Sequence, residues 1–119
     1  MKNDFQDLSD RIVKFRDARN WKQFHNPKDL AISLVLESTE FLEHFQWKNE
    51  DEIKAHLKAH ESDVADELAD VLYWVLLIAN DLCINLNKSL DKKMTKNEAK
   101  YPVDKAKGNH LKYTELENE

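Results

Sequence analysis

The chain has 119 residues, a formal net charge of −5, 41% hydrophobic content, one glycine and two prolines. That supports one hydrophobic core and excludes a many-stranded sheet, whose turns would need more of both punctuating residues. The acidity and a pI near 5.5 speak against stable nucleic-acid binding through general electrostatics.

No leader-like apolar run follows Met1-Lys2-Asn3-Asp4. The longest apolar stretch, Val71 to Ala79, is about half of the ~20 residues that cross a bilayer. Cys83 has no partner in the chain and sits in apolar sequence where burial is expected. The expectation is a cytoplasmic, all-α protein that does not enter a membrane.

Four helices are predicted in chain order. The first covers about residues 4–19, with Phe5, Leu8, Ile12 and Phe15 on one face. Asn20 to Asn26, rich in aromatics (Trp21, Phe24, His25), leads to Pro27, which suits the first turn of a helix capped by Asn26. This second helix runs to about residue 46, with Leu30, Leu34, Phe41 and Phe45 as its core stripe. Lys48 to His60 reads as a linker or a short surface helix. The third helix starts near Glu61 with Ser62 as cap and continues through Leu86. Its run Val71 to Ala79 is apolar all round, as in a helix covered on several sides, and Trp74 within it reads as core. The fourth runs from Leu86 or Asn87 to Tyr101 and ends before Pro102. Residues 1–108 form one four-helix-bundle-like domain, and 109–119 form a polar, mobile tail.

Glu37 with Glu40, and Glu67 with Asp70, are two acidic pairs spaced i,i+3 in strongly apolar sequence. Residues so spaced share a helix face, about 5–6 Å apart at Cβ. Two such helices packed together converge four carboxylates, and buried carboxylates require compensation, so a cation is expected. A ferritin-like iron site would need Glu-x-x-His on two helices, but residue 43 is Glu43 and residue 70 is Asp70. Oxygen-only ligands point to Mg²⁺ or Mn²⁺. His56 and His60 lack the His-Glu-x-x-His order of a metalloprotease and read as surface histidines. Charge is also divided: residues 37–70 hold eleven acids against three lysines, whereas residues 91–112 hold seven lysines against three acids. A basic strip beside an acidic metal site suits a polyphosphate, although charge runs are commonly just solvated faces.

The strings Leu34-Val35-Leu36-Glu37-Ser38-Thr39-Glu40-Phe41-Leu42-Glu43, Phe45-Gln46-Trp47 and Asp66-Glu67-Leu68-Ala69-Asp70-Val71-Leu72 resemble the all-α nucleoside triphosphate pyrophosphohydrolases of the MazG type. The dCTP pyrophosphatase branch is the most similar. Phe15 to His25, Lys92-Lys93-Met94 through Asn97, and Lys100-Tyr101-Pro102 extend the likeness over about residues 11–108. Many MazG-type motifs carry an acid before the first metal-binding Glu; this chain has Leu36 there, and the dCTP pyrophosphatase branch lacks that acid too.

The resemblance implies a helical domain assembling as a homodimer or homotetramer. It implies Mg²⁺-dependent hydrolysis of (deoxy)nucleoside triphosphates, dCTP-like or modified, between the α- and β-phosphates in nucleotide-pool house-cleaning. Glu37, Glu40, Glu67 and Asp70 inherit the metal role, with Glu40, then Glu43, as candidate general base. Lys93, Asn97, Lys100 and Tyr101, which share one face by their 4,3,4 spacing, are candidate phosphate and sugar contacts; a solvated lysine face is their bland reading. Trp47 and His25, joined by Trp21 and Phe24, are candidate base-pocket residues, against packing for Trp47 and capping for His25. The competing reading of the whole chain is a non-catalytic nucleotide-binding or helical oligomerisation module.

Overall fold

The computed structural model describes residues 4–116, and every regular element among them is helical. The chain divides into two compact units, Met1–Cys83 and Ile84–Glu119.

The first unit opens with α1 (Asp4–Asp17), which has Asp4 and Asp7 in its first turn and Lys14 and Arg16 in its last, the charge order that complements the helix dipole. It ends two residues before the predicted limit. Asn20 there takes a left-handed φ of 56°, a conformation that asparagine tolerates better than most residues. A 3₁₀ turn (Trp21–Phe24) follows. Asn26 then caps α2 (Pro27–Glu43), its side-chain oxygen accepting from the Asp29 N–H at 2.9 Å. This helix is also shorter than predicted. The N–H groups of Phe45 and Gln46 both turn back to the Leu42 carbonyl, and Trp47 has a φ of 67°.

The polar stretch from Lys48 to His60 is mostly helix, α3 (Glu50–Ala59). Asn49 and Glu52 close a reciprocal capping box on its first turn. After one residue, His60, α4 begins (Glu61–Asp81). Ser62, expected as its cap, lies inside the helix, and His60 provides no side-chain cap. The helix stops short of Leu86 because Cys83 adopts a φ of 56°. Cys83 is exposed rather than buried, for it lies in that reversal and not on the apolar run.

α4 is the hub: α2, α1 and α3 all pack on it. Leu30 on α2 and Leu76, Leu77 and Ala79 on α4 are the buried apolar residues of this unit. Each buried leucine contributes about 1.5–3 kcal/mol. Arg16, only 1% exposed, is the buried charge. It donates from Nη1 to Asp81 and from Nε to Asp17 at 3.1 Å, fastening α1 to the far end of α4.

In the second unit Asn85 caps α5 (Leu86–Lys100) by accepting from the Lys88 N–H. A short α6 (Val103–Ala106) follows Pro102, and Gly108 takes the positive φ of 75° that reverses the chain. Residues 109–119, expected as a polar tail, carry a further helix, α7 (Tyr113–Leu116), whose Leu116 is buried. The Tyr113 ring meets Tyr101 edge-on at 6.3 Å and lies 4.7 Å from the Lys100 ammonium. Among the described residues no helix is long and apolar enough to cross a membrane.

Candidate active site

The i,i+3 spacing does on α2 and α4 what it predicts. Glu37, Glu67 and Asp70 each offer a carboxylate oxygen, all within 4.8 Å of one another. Glu40 stands outside that trio, but its carboxyl group is within hydrogen-bonding reach of both Glu37 and Glu67. Glu37 Oε2 and Glu67 Oε2 are buried without a donor. None of the four acids is ion-paired with a lysine or arginine among the described residues.

Burial first, and then the Glu40 carboxyl with the other acids, pushes both Glu37 and Glu67 above the ordinary carboxylate range. His44 opposes the shift at Glu67. Crowded carboxylates with orphaned, inward oxygens fit a hard divalent cation, which would supply the counter-charge that no ion pair gives them.

Two cavities share these acids. The first, about 570 Å³, is lined by Glu37 and Asp70 together with Leu8, Arg11, Ile12 and Phe15 of α1, Trp21 of the 3₁₀ turn, and Tyr73 and Trp74 of α4. The second, about 480 Å³, is polar and lined by Glu40, Glu43, Glu67, His44 and His56. The pairing of Glu37 with Asp70, and of Glu40 with Glu67, means that α2 and α4 run antiparallel here. One step of three residues along either helix leads from the aromatic cavity to the polar one.

The aromatic cavity holds side chains that sequence reasoning placed elsewhere. Trp74 belongs to its wall and not simply to the core. Asp70, Tyr73 and Trp74 are spaced i, i+3, i+4, the signal that could have put them on one face. Leu8, Ile12 and Phe15, the apolar stripe of α1, form the opposite wall. Phe15 meets Trp21 edge-on at 5.6 Å and Tyr73 at 6.4 Å, and the Arg19 guanidinium covers the Phe15 ring at 3.8 Å.

His25 lines a separate recess with Lys22, Asp81 and Cys83. Its Nδ1 is buried without a partner, and its ring meets Trp74 edge-on at 5.8 Å. Trp47 stands 92% exposed in the turn after α2, and Phe24 is exposed as well. Lys93, Asn97, Lys100 and Tyr101 lie on or just after α5 in the second unit, where Tyr113 packs against the last two. His56 is half-buried rather than a surface residue. His44 Nδ1 and His56 Nε2 are 2.8 Å apart, a pairing between α3 and the turn after α2 that no local spacing reveals.

The sequence model of the MazG-like family matches residues 32–116. The chain is 34% identical over 113 residues to dCTP pyrophosphatase 1 of Rattus norvegicus, and 33% identical to that of Homo sapiens. Each of these matches covers 93% of this chain and 66% of the relative, so the chain spans about two thirds of the length of these curated relatives. Among solved structures, a pyrophosphatase from Archaeoglobus fulgidus superposes with a TM-score of 0.80 at 39% identity, covering 86% of this chain and 95% of that one.

Proposed function

Because the chain belongs to the MazG-like family, we propose that it hydrolyses deoxynucleoside triphosphates, dCTP-like or modified, to the monophosphate and pyrophosphate. The observation that carries this is the adjacency of donorless carboxylate oxygens and an aromatic cavity. A divalent cation and a nucleobase need those two environments side by side.

Glu37, Glu67 and Asp70, with Glu40 beside them, would hold Mg²⁺ or Mn²⁺. The chemistry such an ion supplies when bound is neutralisation of phosphate charge and acidification of water. Trp21, Phe15 and Trp74 give the base apolar faces on which to stack. In the reaction, the oxygen of a water molecule bonds to the α-phosphorus as the bridging bond to the β-phosphate breaks. The electron pair of that bond leaves with pyrophosphate, and the water's proton passes to Glu40, with Glu43 as the alternative acceptor. Glu40 suits this duty because it is exposed and stands outside the trio of converging carboxylates, able to return the proton to solvent. Lys93, Asn97, Lys100 and Tyr101 would contact phosphate and sugar, and Tyr113 holds Lys100 and Tyr101 in place. His25 sits behind Trp74 and would fix that ring against the base.

The same reading includes a cytoplasmic homodimer or homotetramer. Support comes from Trp47 and from Val35 and Leu36, which are 63% and 58% exposed. A second copy would cover them, and Trp47 could then close a base pocket.

Release of pyrophosphate and monophosphate from a panel of dNTPs, with and without Mg²⁺, tests the activity. Glu40→Gln should retain the fold and lose turnover by about a hundredfold or more, as expected for a general base. Full activity of Glu40→Gln would remove the proton-transfer assignment. Absence of turnover by the wild type on every dNTP would remove the hydrolase reading.

A further inference from the structure

The chain has three arginines, Arg11, Arg16 and Arg19, and every other strongly basic side chain is lysine. All three lie on α1 or just beyond it, beside the aromatic cavity. Two are committed to the fold. Arg16 is bound to Asp81 and Asp17, and Arg19 donates from Nη1 to the Phe15 carbonyl at 2.9 Å while covering the Phe15 ring. Arg11 lines the cavity from its exposed side, and no ion pair or hydrogen bond of its side chain exists among the described residues. We propose that Arg11 reads the edge of the base and selects cytosine and guanine, which present two adjacent acceptors, against thymine, uracil and adenine. The inference rests on the pyrophosphohydrolase reading and names the bases that its site takes.

Arg11 shares the cavity wall with Leu8, Ile12 and Phe15, the i, i+3, i+4, i+7 spacing of one helix face. It lies four residues before Phe15, about 6 Å along the axis, so a base stacked on Phe15 and Trp21 turns an edge toward it. Apart from Glu37 and Asp70, which are assigned to the cation, the polar groups of this wall are donors. They are the Arg11 guanidinium, the indole N–H groups of Trp21 and Trp74, and the Tyr73 hydroxyl, which alone can also accept. A donor-rich wall calls for an acceptor-rich edge.

The guanidinium sharpens that demand, because its N–H groups form a rigid planar fork that lysine does not possess. Cytosine offers N3 and O2 side by side, and guanine offers O6 and N7. Either pair takes two bonds from the fork. Thymine and uracil place an N3–H between their two carbonyls, and in adenine the amino group adjoins both N1 and N7. These bases leave one arm of the fork unmatched. A substituent at C5 of cytosine lies away from the N3–O2 edge, so modified cytosines satisfy the same contact.

The test measures kcat/KM for dCTP, dGTP, dTTP and dATP with Mg²⁺ in the wild type, Arg11→Gln and Arg11→Lys. Calorimetric binding of the four matching deoxynucleoside monophosphates accompanies it. The wild type should favour cytosine and guanine by about tenfold or more, the margin of a bidentate contact. Both variants should lose that margin and stay within about threefold of the wild type on dTTP and dATP; Arg11→Lys retains the charge, so its loss identifies the fork. A wild type indifferent to the base overturns the proposal, as does a variant that keeps the preference. A uniform fall over all four bases also overturns it, making Arg11 a contact of the triphosphate or of α1 packing. With a wild type that cleaves dNTPs, any of these outcomes refutes this inference alone. A wild type that cleaves none but binds dCMP and dGMP through Arg11 refutes the hydrolase reading while base selection stands, and one that neither cleaves nor binds refutes both.

Discussion

At Glu37 and Glu67, burial and neighbouring carboxylates act in the same direction, and the consequence is a pH-dependent fold. Below the ordinary value of 4.5 both carboxyl groups are protonated whether the chain is folded or not. As pH rises above it, the unfolded chain releases these protons first, while the folded protein retains them. The metal-free protein therefore loses stability as pH climbs from 4.5 through the raised folded values. In EDTA, the melting temperature should fall as pH rises above the ordinary carboxylate value of 4.5, and it should fall less for Glu67→Gln. Added Mg²⁺ should restore the wild type through binding to the folded state and do little for the variant. A flat wild-type profile in EDTA, measured by scanning fluorimetry, would contradict the crowding. Trp21 permits a second test at this scale. Trp21→Ala should raise KM for a dNTP by about tenfold, the loss of one stacking surface, with kcat changed less than about threefold. The i,i+3 acids were legible in sequence because one helix turn brings them together. The His44–His56 contact was not, because it joins two elements whose packing no local pattern encodes.

Among the elements, α1 depends on one ion pair for its placement. Burial disfavours ionisation of Asp81, yet the bonds it receives from Arg16 and Asn80 outweigh this and hold the carboxyl below its ordinary range. Arg16 is raised in turn, chiefly by Asp81. This stabilisation is present above the ordinary Asp81 value of 3.8 and is lost as pH falls through the lower folded value. Asp81→Asn leaves a buried guanidinium with Asp17 as its remaining carboxylate and should cost roughly 3 kcal/mol in urea unfolding. Because α1 supplies Leu8, Ile12 and Phe15 to the aromatic cavity, the same variant should raise KM more than it lowers kcat. Helix existence was readable from apolar spacing and from Asn26-Pro27. Helix ends were overshot wherever a non-glycine residue, Asn20, Trp47 or Cys83, adopts a positive φ. The segment from Lys48 to His60 left a linker and a short surface helix both open, because it has little apolar content; it is the helix, fixed by the Asn49/Glu52 capping box.

For the whole molecule, composition predicted an all-helical chain correctly, and the family matches agree with that fold. The division after Cys83 was not visible, since Leu82 to Leu86 has neither proline nor glycine to mark a boundary. Exposed Val35, Leu36, Leu68 and Leu72 leave an apolar surface on α2 and α4 of the kind that marks association. Light scattering should therefore give at least twice the chain mass for the wild type, with Leu36→Glu/Leu68→Glu shifted toward the monomer. A monomeric wild type would refute the oligomer. The exposed thiol of Cys83 has a practical consequence for the same question. As the sole cysteine of the sequence, it gives each copy one attachment point for a fluorophore or spin label without mutagenesis. The number of labels in an intact particle then equals its number of subunits, and spin–spin distances report how the far ends of α4 are arranged.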